Sequence, residues 1–358
     1  MSLIPASRGA LARSGLVIAL AFAVACSDAG NSTGPESGSP AFARGGEQGP
    51  DLHAAIAAQA RYEADIMARA GVEGIGVGLT EKGAPAVVIM TANGAVGGLP
   101  KQLDGVAVRL MPTGPFSAIL PRAGKPGSGS ADPTATFTRP VPTGVSIGNV
   151  NECAAGTLGA RVKKGGNVYI LSNNHVLARE NAASVGEAIL QPGRYDTRCS
   201  IPANSTIGNV QQWTTINFSG GNNTVDAAIA STTTALVGNA TFSGGYGQPN
   251  SITKAAALNM RVQKCGRTTQ CTHGVVASIN ATVNVQYSAT QFARFVNQVV
   301  VTGKRGAFSK AGDSGSLIVT DDASANPVAL LFAGGQTSTI GNPIGDVLSA
   351  LGVTIDGK

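Results

Sequence analysis

Three residues of this chain have the types and order to do chemistry together. They are His175 in Ser172-Asn173-Asn174-His175-Val176, Asp226 in Val225-Asp226-Ala227-Ala228, and Ser314 in Gly312-Asp313-Ser314-Gly315-Ser316. A serine hydroxyl is a weak nucleophile at neutral pH and needs a base within hydrogen-bond reach. Three histidines are available. His53 falls in a stretch of helical period, where a solvated role is expected, and His273 follows Cys271 in a turn between strands. His175 instead ends an apolar run, Val168–Leu171, which Asn173 and Asn174 break. That position suits a cleft as readily as it suits packing. A neutral imidazole base also needs a carboxylate to fix its tautomer and stabilise the imidazolium. Asp226 is set among small apolar residues, and an ionised carboxylate buried there is costly unless paired. Its alternative is an ordinary edge-strand or helix-capping aspartate. Asp196 and Asp322 lie in polar turns and are weaker candidates. By itself the 312–316 turn reads equally as a simple chain reversal, because Gly and Ser are common turn residues.

Short strands must position these residues. From about Thr143 onward, apolar or alternating runs such as "NVYILS", "VDAAIA", "GVVASI", "FVNQVVV", "SGSLIVT" and "VALLFAGG" recur between Gly, Asn, Ser and Thr. That spacing predicts an all-β sandwich or barrel. Gly345–Leu351 reads as a terminal helix, and no 20–50-residue period points to a solenoid or propeller.

The N-terminal part is organised differently. Arg8 and Arg13 precede an apolar run ending in Ala23-Val24-Ala25-Cys26, the pattern of an export signal over residues 1–25. Cys26 stands where a bacterial lipobox places its lipidated cysteine; simple signal cleavage nearby is the alternative. Residues 26–50 are rich in Gly, Ser and Pro and read as a flexible tether. Residues 51–120 carry a helical stripe at Leu52, Ile56, Ala60, Ala64 and Met67, then strands at Val72–Thr80, Ala86–Met90 and Gly105–Met111. They are expected to form a small α+β domain, either a pro-region or a permanent substrate-binding domain. A Gly/Pro/Ser-rich linker, 121–143, separates it from residues 144–358.

Composition narrows the function classes. Of 358 residues, 43% are hydrophobic and 13% charged, the balance of a globular chain. Loss of the two signal arginines lowers the formal charge from +6 to +4, and no basic run exceeds two residues, so nucleic acid is not an expected partner. Beyond Cys26 four cysteines remain. In an exported chain an even count predicts disulfides; the six-residue separation favours Cys265–Cys271, which leaves Cys153–Cys199. Zinc is the competing reading, disfavoured by the absence of paired close spacings; no metal or cofactor is expected.

Taken together, "SNNHVLA", "VDAAIA" and "AGDSGSLI" resemble the trypsin-like serine peptidases of the chymotrypsin fold. The order His, Asp, Ser is the family's, at separations of 51 and 88 positions. "NNHV" is similar to the histidine motif of HtrA-type members. "VQKCGRTTQCTHGVV" resembles a hairpin of bacterial members such as α-lytic protease, and the whole pattern is similar to bacterial relatives of the plant narrow-leaf peptidases. The resemblance spans about residues 144–358.

It implies a mainly β fold, a chymotrypsin-like double β-barrel with a C-terminal helix, preceded by the α+β domain. Ser314 would be the nucleophile, His175 the base and then acid, and Asp226 the orienting carboxylate. The N–H groups of Gly312 and Ser314 would form the oxyanion hole. Asp313 would be buried and held by a cation, either Arg139 or a new N-terminus near Val145. Phe308 stands six positions before Ser314, where trypsins selective for basic residues carry aspartate. Phe308, Ser309, Gly334 and Gly335 are therefore expected to line a small or apolar pocket, with Lys310 either favouring acidic groups or standing as a solvated lysine at its rim. The expected function is an exported serine endopeptidase acting on protein or peptide substrates, located in the bacterial envelope or secreted. Its only membrane link would be a lipid on Cys26. A silent peptide-binding scaffold is the alternative. A serine esterase of another fold conflicts with the His-before-Ser order and with "GDSGS", which lacks the second glycine of a nucleophile elbow.

Overall fold

A computed structural model describes residues 51–94, 96–118 and 132–358. The export signal, the tether, Cys26 and much of the 121–143 linker lie outside the described residues. The rest is mainly β with a helix at each end, the class expected from the sequence.

Helix α1 runs His53–Met67, and Asp51 Oδ1 accepts the His53 N–H at 2.9 Å. Its buried face differs from the expected stripe. Leu52, Ala55, Ala58, Gln59, Ile66 and Met67 face inward, whereas Ala60 and Ala64 are exposed. Alanines mark a face weakly, and Gln59 turns inward because Asn280 satisfies it. Its Nε2 donates to Asn280 O at 2.7 Å, and Asn280 Nδ2 donates to its Oε1 at 3.1 Å.

Strand Val72–Leu79 forms an antiparallel hairpin with Pro85–Thr91, which pairs in parallel with Val106–Pro112. The hairpin continues into the sheet of the C-terminal region, because Val72–Leu79 also pairs with the long strand Gln270–Gln286. Gly76 makes that approach possible: a Cβ there would lie 2.5 Å from Ser278 Oγ. Ile75, Val77, Val88 and Met90 are fully buried along this junction. Each such side chain contributes roughly 1.5–3 kcal/mol of hydrophobic stabilisation.

Six strands close a barrel: Arg261–Gly266, Gln270–Gln286, Phe292–Gly303, Ser338–Pro343, Pro327–Gly334 and Leu317–Thr320. Closure comes from Phe292–Gly303, which pairs with both Gln270–Gln286 and Ser338–Pro343. An eight-stranded sheet of residues between 146 and 355 includes Asn167–Ser172, Ala228–Ser231 and Gly156–Thr157. Its core is branched aliphatic: Val145, Ile147, Leu158, Ile170, Ile189 and Val210. The two sheets meet where Val162, Leu171 and Ile229 pack with Leu317, Val319 and Leu330. The C-terminal helix, Ile344–Leu351, seals that contact through Ile344, Val347 and Leu351. It stops at Gly352, whose φ of 64° is the left-handed ending that glycine favours.

Both expected disulfides are present, Cys153–Cys199 and Cys265–Cys271. The second joins directly opposed residues of a tight hairpin. Among the described residues no helix is long and apolar enough to cross a membrane.

Candidate active site

His175 is delivered by the end of strand Asn167–Ser172 and a four-residue helix, Asn174–Leu177. Two asparagines lock this turn. Asn173 Nδ2 donates to Asp226 O at 2.7 Å, and Asn174 Nδ2 donates to Thr214 O at 2.7 Å. They thereby fix the imidazole against Asp226. His175 Nδ1 is 2.6 Å from Asp226 Oδ2, and the His175 N–H donates to Oδ1 at 3.3 Å. Tyr287 OH donates to Asp226 Oδ2 at 2.8 Å, and the Asp226 N–H donates to Asn342 Oδ1 at 3.0 Å. Both side chains of the His175–Asp226 pair are closed to solvent. A carboxylate with three donors at its oxygens orients Nδ1–H inward, which leaves Nε2 as the basic nitrogen. Nε2 is buried and has no hydrogen-bond partner among the described residues.

Ser314 sits in a reversal shaped by Gly312 and Gly315, each with φ 94°. Gly315 is required on a second count, since a Cβ would meet Ser172 Oγ at 2.1 Å and Thr157 O at 2.3 Å. Thr157 pins the loop from the other sheet. Its N–H donates to Ser314 O at 2.8 Å, its Oγ1 donates to Gly312 O at 2.9 Å, and its carbonyl accepts Ser172 Oγ at 2.8 Å. Ser172 begins the turn to His175, so one threonine ties the histidine turn to the serine loop. Ser314 Oγ donates to Phe332 O at 3.5 Å and makes no hydrogen bond with His175. Loose contacts of this kind are common before substrate binds.

The loop's N–H groups divide into two sets. Those of Asp313, Gly315 and Ser316 are taken by Lys310 O, Leu331 O and Asp313 O. Those of Gly312 and Ser314 donate to no group among the described residues. They are the two N–H groups expected to form an oxyanion hole.

Asp313 is fully buried, and its cation is neither expected candidate. Lys264 Nζ lies 3.3 Å from Asp313 Oδ2, and both side chains are shut off from solvent. Asp313 Oδ1 also accepts the N–H groups of Thr268 and Thr269 at 2.8 and 3.1 Å, and Oδ2 accepts the Lys310 N–H at 2.9 Å. Arg139 is engaged elsewhere, donating to the carbonyls of Asn204 and Thr206, and Val145 is buried in the core of the eight-stranded sheet. Burial holds the Lys264 pKa below the ordinary lysine value, with Asp313 opposing that shift. The signal for Lys264 was present in its strand: Val262, Lys264 and Gly266 alternate inward, so period two aims this lysine at the core.

A cavity of about 480 Å³ opens beside Ser314. Ser309, Lys310, Gly334 and Gly335 line it. Phe308 does not. It packs with Val276, Val301 and Ile318 in the barrel core, while its neighbours Ala307 and Ser309 line the cavity, so the side chain between them faces away. The expected apolar floor is therefore one layer deeper than the wall. Pro115 and Ser117, from the N-terminal region, also line the cavity. Phe116–Ser117 lies antiparallel to Pro327–Gly334 with Ser117 opposite Gly334, and Gln336 N donates to Thr113 O at 2.6 Å. Phe116–Ser117 thus forms a short strand at the cavity edge, with nothing in its sequence to mark it.

The other histidines are elsewhere. His273 is exposed and 3.0 Å from Asp321 Oδ1, and His53 is exposed at the start of α1. Asp196 pairs with buried Arg267, and Asp322 accepts local turn donors.

No protein-family model matches this sequence, and no curated protein matches it. Among solved structures, the chain is similar to a glutamic acid-specific serine protease at 22% identity and TM-score 0.43, covering 60% of this chain and 98% of that one. It is also similar to protease A of Thermobifida fusca, at 18% identity and TM-score 0.42, covering 61% and 99%. A homologue of α-lytic protease is similar at 18% identity and TM-score 0.41, covering 60% and 98%.

Proposed function

We propose that this chain is an exported serine endopeptidase that uses His175, Asp226 and Ser314. The observation that carries the reading is the solvent-shielded His175–Asp226 pair at 2.6 Å, with Nε2 unengaged, in a protein whose cavity wall includes Ser314. Ser314 Oγ attacks the scissile carbonyl carbon as its proton passes to His175 Nε2. The resulting oxyanion accepts hydrogen bonds from the N–H groups of Gly312 and Ser314. Collapse breaks the C–N bond, and the imidazolium returns its proton to the leaving amine, giving the acyl-enzyme. Water then repeats the sequence to release the acid and restore Ser314. Each oxyanion donor is worth about 2.7–4 kcal/mol in such sites.

A peptide substrate is favoured by Ser117, which lies opposite Gly334 as an extended backbone would. The same contact supports reading residues 51–118 as a region that restrains the cleft, and it is also what favours the silent peptide-binding alternative. Two disulfides fit an oxidising, extracytoplasmic compartment, and lipidation at Cys26 would hold the protein at the envelope. Hydrolysis of a peptide library by wild type and Ser314→Ala, each before and after nicking within residues 119–131, tests the reading. Hydrolysis by nicked wild type and none by the variant is expected. Tight peptide binding without hydrolysis in any form would establish the silent alternative.

A further inference from the structure

We infer that Tyr287 is a positioning residue for the base, holding Asp226 in the orientation that aims His175; the inference rests on the peptidase reading above. Tyr287 OH donates to Asp226 Oδ2 at 2.8 Å, the same oxygen that meets His175 Nδ1 at 2.6 Å. Without the phenol that oxygen keeps a single donor in a site closed to water, and the carboxylate is freer to rotate about its Cβ–Cγ bond. Phe332 offers no substitute. It gives Ser314 only its carbonyl, and its ring packs on Phe295 at 4.6 Å.

The phenol is itself fixed from several sides. Its ring meets Phe218 edge-on at 5.3 Å, stacks on Phe295 at 6.3 Å and lies edge-on to His175 at 5.8 Å. The backbone is anchored as well: Tyr287 N donates to Gln291 O at 2.9 Å, and Ala118 N donates to the preceding carbonyl, Gln286 O, at 3.0 Å. Burial, and then the charge of Asp226, push the phenol pKa well above its ordinary value, so Tyr287 remains a donor. Nothing local in the sequence marks it, since 61 residues separate it from Asp226.

Tyr287→Phe keeps the ring and removes only the donor. In the full chain, the downfield proton resonance of His175 Nδ1–H should move in this variant, while the thermal midpoint drops by only a few degrees and the protein stays folded. In nicked protein that hydrolyses peptides, kcat should fall about 10-fold with KM within about twofold, the size of losing one hydrogen bond to a charged group. An unmoved resonance with unchanged kcat overturns the inference. So does a loss of activity that only follows loss of folded protein, as Tyr287→Leu would produce. The resonance is read whether or not the protein hydrolyses anything, so inactive wild type would refute the peptidase reading while the resonance still decides whether Tyr287 orients the pair.

Discussion

Lys264 and Asp313 form an ion pair at 3.3 Å that no solvent reaches, directly behind the loop that carries Ser314. Burying two charges is costly, so the pair is weak evidence for stability in itself; removing one member is a different matter. Lys264→Met would leave Asp313 charged, buried and short of a donor. The expected cost is about 3–5 kcal/mol, seen as a lower urea midpoint, together with slower acylation of Ser314. A variant as stable and as reactive as wild type would show that the pair does not shape the loop.

Asp226→Asn should leave the fold in place, because the amide can still fill the site between Tyr287 and His175. It can no longer hold Nδ1–H against an anionic acceptor. Turnover should fall by about four orders of magnitude with little change in KM, measured by steady-state hydrolysis. A drop of tenfold or less would remove Asp226 from the mechanism.

Phe116 fixes the segment that edges the cavity. It is buried with Val283, Val285 and Phe332, and a large-to-small change at such a site costs roughly 3–5 kcal/mol of docking. Phe116→Ala should therefore expose the cleft and speed reaction of Ser314 with a small acylating probe in the un-nicked chain. Equal rates would mean that residues 113–118 do not obstruct it.

Glu187 braces the turn that holds His175. It accepts from Arg179 and from Asn149, whose amide also donates to Leu177 O. Burial alone would raise its pKa, but the hydrogen bonds from Arg179, Ser184 and Asn149 prevail and bring it down to about 2. A carboxyl more acidic when folded contributes stability above its unfolded pKa and loses it as the pH falls toward the folded value. The stability gap between wild type and Glu187→Gln should be full above pH 4.5 and close as pH approaches about 2. Thermal midpoints across that range would show it; a gap independent of pH would contradict the assignment.

Local pattern made much of this legible. Alternation and turn residues marked the strands, cysteine spacing marked the disulfides, the motifs around 175 and 226 marked a pair that the fold brings into contact, and the motif around 314 marked a residue on the cavity wall. What was illegible depends on distant chain. Tyr287 reaches Asp226 across 61 residues of chain, and Phe116–Ser117 reaches the cavity edge by pairing with Val285 and Gln286 on one side and Gly334 on the other. Phe308 was misplaced because spacing from Ser314 gives a position along the chain, not the side of the turn a residue faces. The α1 stripe was misread because alanine fits either face and a buried glutamine does not look like core.

A nucleophilic Ser314 activated by His175 has a direct chemical signature. Nicked wild type, Ser314→Ala and His175→Ala should each be treated with a fluorophosphonate, and the modified residue mapped by peptide mass. One adduct, on Ser314, is expected in wild type, none in Ser314→Ala and at most a trace in His175→Ala. Equal labelling of wild type and Ser314→Ala, or an adduct on another residue, would contradict it.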